Sequence, residues 1–323
     1  MNDTLPILFV HRAPADYLVY AAAQARHTNP HSPIIALLDY QDPLVSKYAE
    51  VVSLHDHLDD VREFDRDFIN FSNLNYDYTC FCCQRWLILR NFARARDIRK
   101  FIYIDSDVMC YADLTEDIQP YRDAGISYAG GSAHTMYVED FEQYEEFCNF
   151  MLTRYREPSQ VLGMHDYYKR HKEKFRFGGI QDMEHWIAFD KLKGERFGNF
   201  AMEKEGVVIS THAKVWDAAL KRELLFPFEW KSGQPFGLDR YSKNYVRYST
   251  IHFQGVFKKY IAKSFTGDKA AASSIASALA LRNACKRIPG VSRVLDVAGK
   301  VKNSEFLKTC RIHYKPQSLS FSK

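Results

Sequence analysis

Short unbroken apolar runs punctuate this chain, separated by segments whose apolar residues recur at helical spacing. Leu5–Val10, Ile34–Leu38, Val51–Leu54 and Phe101–Ile104 are such runs. Runs of this length predict strands, and the last reads as a strand of a parallel sheet, buried on both faces. Tyr17 to Asn29 predicts a first helix, closed by Pro30. Gln84–Arg96 predicts a helix that leads into the Phe101 strand, and Asp182–Leu192 predicts another. Near the end, Ala270–Arg282 is an Ala/Ser-rich helix former with Ile275, Ala278 and Leu279 at helical spacing. Strands alternating with helices define an α/β fold class.

Length and charge refine this picture. At 323 residues the chain can bury a large core and carry an appendage. The expected division is an α/β domain over 1–262 and a basic, helical tail over 263–323. The tail holds 12 Lys/Arg against three acidic residues, so it is strongly positive while the rest is mildly acidic. Basic segments with apolar spacing suit an anionic membrane surface, and a packed helical hairpin is the alternative. Nucleic acid is not an expected partner, because the rest of the chain is acidic and has no recognised binding motif. No run approaches a membrane span. Met1–Thr4 has no basic character and Leu5–Val10 is too short for a signal core, so a cytoplasmic location is expected, peripheral on the membrane through the tail. Seven cysteines form neither a zinc spacing nor a paired framework, which fits buried free thiols.

Two carboxylates, Asp105 and Asp107, close the Phe101 strand. They lie at its C-terminal end, where open α/β sheets bind ligands. In extended chain, residues i and i+2 point the same way, so both can face one ion. Hard oxygen donors suit Mg²⁺ or Mn²⁺ that is also held by substrate phosphates. Further on stand His252, Gly255 and Lys258 in His-x-x-Gly-x-x-Lys spacing. A neutral imidazole can join the ion, a glycine lets backbone approach a diphosphate, and a lysine neutralises phosphate charge.

The Asp-x-Asp pair and the His252 motif together resemble GT-A glycosyltransferases of the glycogenin and lipopolysaccharide galactosyltransferase-like family. The resemblance spans roughly residues 5–260. It implies a Rossmann-like, mainly parallel mixed sheet flanked by helices. It also implies transfer of a sugar from a nucleotide-sugar, a UDP-sugar by preference, to a glycan or lipid-linked hydroxyl. Asp105, Asp107 and His252 would hold the metal, and Lys258 and Gly255 would meet the diphosphate. Arg85 or Arg90, on the helix before the metal strand, would reach the donor. The family's usual acidic or Asn residue after the first strand is replaced here, which leaves His11 and Asp16 as base-pocket candidates. Gly178 and Gly179 permit a tight turn or close substrate approach, and after them Gln181, Asp182 and Glu184 match the family's donor-sugar segment, with Met183 where the family has a polar residue. As catalytic groups, Asp182 or Glu184 would serve as base in an inverting enzyme, whereas in a retaining one Asp182 would hold the sugar. The His252 motif travels with retaining members. As structural groups, Asp182 would cap a helix and Glu184 would favour its first turn. Two other readings stay open: a haloacid-dehalogenase-like phosphatase, which also places Asp-x-Asp after a strand, and a non-catalytic protein that keeps the scaffold.

Overall fold

The computed structural model describes residues 4–174, 178–194 and 197–286. The strands in chain order are β1 (Ile7–His11), β2 (Ile34–Leu38), β3 (Glu50–Ser53), β4 (Phe101–Ile104), β5 (Val108–Cys110), β6 (Ile126–Tyr128) and β7 (Thr135–Val138). There follow β8 (Phe197–Asn199), β9 (Val207–His212), β10 (Lys214–Asp217), β11 (Arg222–Leu225), β12 (Glu229–Lys231), β13 (Gln234–Leu238) and β14 (Tyr245–His252). The helices are α1 (Asp16–Thr28), α2 (Val61–Asp67), α3 (Tyr76–Ala95), α4 (Leu114–Asp117), α5 (Phe141–Arg156), α6 (Pro158–His171), α7 (Asp182–Lys193) and α8 (Lys269–Lys286).

The main sheet has the order β3-β2-β1-β4-β7-β6-β8. Only β7 runs against the rest, so this is a mixed, mainly parallel sheet. The four sequence-predicted strands form its first half. Residues of β1, β2 and β4 are buried almost throughout, as a sheet covered on both faces requires. A second sheet, β12-β13-β14-β5 with β9 on the other side of β14, was not predicted. Strands β9, β12 and β13 are short and partly exposed, and the longer, largely buried β14 mixes Arg, Ser and Thr with its apolar residues, so they carry little periodic signal.

Helix α3 begins eight residues before the predicted start. Asn75 caps it by accepting from the Tyr78 N–H at 3.2 Å. The extra turns bury Thr79, Cys80, Cys82 and Cys83 on the core side. Trp86 of α3 and Trp186 of α7 are both fully buried and meet edge to face, their centroids 5.5 Å apart. Phe147 of α5 stacks on Trp186 at 12°. These rings fix α3 against α7, which sets the positions of Arg85 and Asp182. Five cysteines among the described residues are free and buried.

The chain divides into two compact units, Met1–Ala272 and Ser273–Lys323. The predicted Ala270–Arg282 helix is part of α8. Arg287, Arg293 and the rest of the basic tail lie outside the described residues. No helix of the described residues is long and apolar enough to cross a membrane.

Candidate metal and donor site

Strand register brings the site together. Asp105, Ser106 and Asp107 link β4 of the main sheet to β5 of the second. Strand β14 pairs antiparallel with β5, setting His252 opposite Val108. The Phe253 N–H then donates to the Asp107 carbonyl at 2.9 Å. On its other edge, β14 sets His252 beside His212 of β9. Strand β7 pairs with β4, and the Asp105 N–H donates to the His134 carbonyl at 2.8 Å. Residues far apart in sequence thus converge at the seam between the two sheets.

One ligand atom each from Asp105, Asp107 and His252 lies within 4.8 Å of the others. His252 Nε2 is 3.2 Å from Asp107 Oδ1, and Lys258 Nζ is 3.2 Å from Asp107 Oδ2. Burial opposes ionisation of Asp107, but the neighbouring His252 and Lys258 outweigh it and hold the carboxyl well below the usual range. Asp105 goes the other way. Burial raises it, Arg85 offsets part of the rise, and the charge on Asp107 adds to it. Asp105 Oδ1 is occupied by Arg85 Nη1 at 2.6 Å and by the Tyr103 hydroxyl. Its second oxygen remains for a ligand. Two carboxylate oxygens and one imidazole nitrogen therefore fit a divalent ion of the Mn²⁺ or Mg²⁺ kind, the imidazole favouring the transition metal.

Gly255 opens the 3₁₀ turn Gly255–Ser264 at φ +62°, a conformation that disfavours a side chain. The turn carries Lys258 back to Asp107, with its ammonium over the Tyr17 ring at 4.6 Å. His11, at the end of β1, reaches Ser106 through Nδ1 at 3.0 Å. Burial, then the charge of Lys258, lowers His11 to about 4.

Arg85 projects from the middle of α3 and spans two carboxylates. Its Nη1 donates to Asp105 Oδ1 and its Nη2 to Asp182 Oδ2, each at 2.6 Å. Trp86 Nε1 also donates to Asp182 Oδ2, at 3.2 Å. Arg90 takes no part: it is buried against Asp60, Asn91 and Asn149. Asp182 is the first residue of α7 and Gln181 is the N-cap, so the capping role read for Asp182 belongs to Gln181. Glu184 closes a capping box, accepting from the Gln181 N–H at 2.8 Å. That contact gives Glu184 a structural task at the start of α7. Gly179 lies against the backbone of Phe71 and Ser72, so the close approach it permits is to the protein itself.

Sequence reasoning missed His134 and His212. Their rings lie 4.3 and 5.1 Å from that of His252. Burial first, then neighbouring His252, lowers His134 well below the ordinary histidine range and His212 to about 3. No motif surrounds either residue, and cross-strand register alone brings them in. A cavity of about 730 Å³ lined by Tyr121, Asp140, Gln143 and Asn199 includes none of these groups.

No protein-family model and no curated protein matches the sequence. Among solved structures, the chain is similar to the WbbM bifunctional glycosyltransferase, at 11% identity and a TM-score of 0.47 over 86% of this chain. It spans about half of that protein, 52%. It is also similar to the galactosyltransferase LgtC in complex with donor and acceptor sugar analogs. There the identity is 12% and the TM-score 0.41, over 90% of this chain and 100% of the other. Mouse xyloside xylosyltransferase 1 gives 11% identity and a TM-score of 0.41, over 61% of this chain and 84% of the other. These likenesses are too distant to carry an activity across, so function rests on the site's own residues.

Proposed function

We propose that the chain is a metal-dependent glycosyltransferase that moves a sugar from a nucleotide-sugar, a UDP-sugar by preference, to a hydroxyl of a glycan or lipid-linked glycan. The observation that carries this reading is the grouping of Asp105, Asp107 and His252 within 4.8 Å, with Lys258 on the same carboxylate. These three residues would hold Mn²⁺ or Mg²⁺. When bound, the ion supplies Lewis-acid charge to offset that of the departing nucleoside diphosphate. Lys258 adds a cation, and Gly255 leaves its backbone open to phosphate oxygens. His11 and Asp16 border the end of β1, where the base would lie. Arg85 keeps Asp182 turned toward the metal carboxylates.

Asp182 is the residue assigned to the donor sugar. Its Oδ2 already accepts from Arg85 and Trp86. These two bonds hold the carboxylate in place and leave Oδ1 to accept from a sugar hydroxyl, the role Asp182 would have in a retaining enzyme, with the leaving phosphate taking the acceptor proton. The phosphatase alternative needs a free aspartate nucleophile, and Asp105 is tied to Arg85 and Tyr103. For the tail, the reading is attachment to an anionic membrane where a lipid-linked acceptor would be found.

The test is a donor screen. Purified protein with Mn²⁺ is offered UDP-, GDP- and CMP-sugars, and nucleotide release is followed. UDP release that EDTA abolishes, and that Asp107→Asn lowers by tenfold or more, supports the proposal. Turnover undiminished in EDTA or in Asp107→Asn rejects the metal assignment. Phosphate release from small phosphomonoesters in place of UDP release supports the phosphatase.

A further inference from the structure

A metal-bound histidine is normally held in orientation by a hydrogen bond from its second nitrogen to a carboxylate or carbonyl. His252 has no such bond: its Nδ1 is buried and has no hydrogen-bond partner. Something else must fix the ring. The face of His134 lies 4.3 Å away at an interplanar angle of 27°, a stacked pair. His212 is tilted against both rings, 4.7 Å from His134 and 5.1 Å from His252.

His134 is itself locked by a one-way chain of hydrogen bonds. The Thr250 hydroxyl donates to the Ile209 carbonyl at 2.9 Å, so its proton is spent. The Thr135 hydroxyl, 3.1 Å from Thr250 Oγ1, must then donate to it. Ser210 Oγ donates to Thr135 Oγ1 at 3.0 Å. Ser210 can therefore only accept from His134 Nε2, at 2.8 Å. Neutral His134 carries its proton on Nε2, and Nδ1 accepts from Ser132 Oγ at 2.9 Å. Each hydroxyl proton is used once, and every member of the chain but Ser132 is buried.

One nitrogen each of His134, His212 and His252 lies within 4.8 Å of the others, but both nitrogens of His134 are taken by Ser132 and Ser210, so His134 has none to offer an ion. We propose that His134 is a positioning residue for the metal site: its hydrogen-bonded ring is the platform on which His252 stacks, so that Nε2 faces the ion shared with Asp105 and Asp107. The proposal rests on the metal reading above.

Two substitutions separate the ring from its hydrogen bonds. His134→Phe keeps an aromatic face and loses the hydrogen bonds, whereas His134→Gln keeps polar contacts and loses the face. Mn²⁺ affinity is measured by electron paramagnetic resonance titration on the full chain, and metal-free melting is measured alongside. The expected result is a modest loss of affinity in His134→Phe, which keeps the face without the bonds that lock it, and a loss of at least about tenfold in His134→Gln, whichever variant melts lower. Unchanged affinity in His134→Gln overturns the proposal, as does a loss in both variants that follows their melting temperatures. Mn²⁺ binding that Asp107→Asn leaves intact rejects the underlying metal site, a failure distinct from that of the stack.

Discussion

Asp105 and Asp182 share one guanidinium: Arg85 bonds to both, 2.6 Å to each. The loop proposed to hold the metal and the segment proposed to meet the donor sugar are thereby joined by a planar fork on α3. Two partly buried carboxylates that would otherwise repel each other are held side by side. Arg85 also lies 4.6 Å from the Trp86 ring centre and 5.5 Å from that of Tyr103, so its plane is fixed by packing as well as by charge.

Lysine cannot reproduce that fork. Arg85→Lys should leave one carboxylate unpaired and lower kcat by tenfold or more, with a smaller effect on UDP affinity. Arg85→Ala should cost ~3–5 kcal/mol of stability, because the half-buried Asp105 and the buried Asp182 both lose their cation. Steady-state kinetics with a titration of UDP, and chemical denaturation, measure the two effects. Wild-type kcat in Arg85→Lys would remove Arg85 from the donor site.

Buried histidines set an acid limit on stability. Burial first, then neighbouring cations or imidazoles, holds His134 and His185 well below the ordinary range, His212 at about 3 and His11 at about 4. The unfolded chain protonates these residues near pH 6.5. Below that pH the unfolded state binds more protons than the folded state, so stability falls as pH falls. The window runs from about 6.5 down to each folded value, at up to ~1.4 kcal/mol per pH unit per histidine. Metal-free protein should therefore melt several degrees lower at pH 5.5 than at pH 7. His185→Phe should flatten that slope. A melting temperature that stays level over this range contradicts the burial of these rings as neutral groups.

Gly179 ties the donor-sugar segment to the preceding loop. Its φ is +147°, and an added Cβ would sit 2.3 Å from the Phe71 carbonyl oxygen and 2.6 Å from Ser72 Cα. Gly178 has φ +133°, but its Cβ would meet only the end of the Gln181 side chain, at 3.4 Å. Both replacements by alanine strain the backbone, and only the one at Gly179 adds a clash with main chain. Gly179→Ala should destabilise by ~2–4 kcal/mol and Gly178→Ala by less. The displaced α7 start should carry Asp182 with it, lowering kcat more than nucleotide affinity. Equal stability losses in the two variants would mean the Phe71–Ser72 contact is loose.

What could be read in the sequence followed from strong local signals. The strand before Asp105 is a continuous apolar run, and a carboxylate pair at its end has one geometric consequence. The spacing of His252, Gly255 and Lys258 placed a lysine beside Asp107 because a positive-φ glycine turns the chain there. Arg85 and Arg90 could not be separated from sequence. Five helical positions put them roughly 140° apart, but sequence does not say which face meets the carboxylates. Glu184 reads equally as acid or first-turn group, and only the structure shows its contact with the Gln181 N–H. His134 and His212 depend on the pairing of β7 with β4 and of β9 with β14. Such register is a long-range property, and the mixed polar and apolar strands of the second sheet give no pattern from which to infer it.

The basic C-terminal segment carries the last prediction, attachment to an anionic membrane. Thr266 bonds Gln24 through its N–H and hydroxyl, and Tyr111 donates to the Ser264 carbonyl. A cut near residue 262 would sever these contacts, so the informative truncation ends after Lys286. It removes eight Lys/Arg and two acidic residues, a net charge of +6. Each cation near an anionic surface contributes on the order of 1 kcal/mol, so a few that engage suffice at moderate salt. Full-length protein should co-sediment with vesicles containing phosphatidylserine or phosphatidylglycerol and not with neutral phosphatidylcholine vesicles. Binding should fade as salt rises from ~50 mM to ~500 mM, since exposed charges are screened. The truncated protein should bind markedly less while melting at the same temperature and keeping its donor hydrolysis. Equal binding by both chains would move the attachment to residues before 287. No binding of the full chain at low salt would leave the charge of this segment for a protein partner.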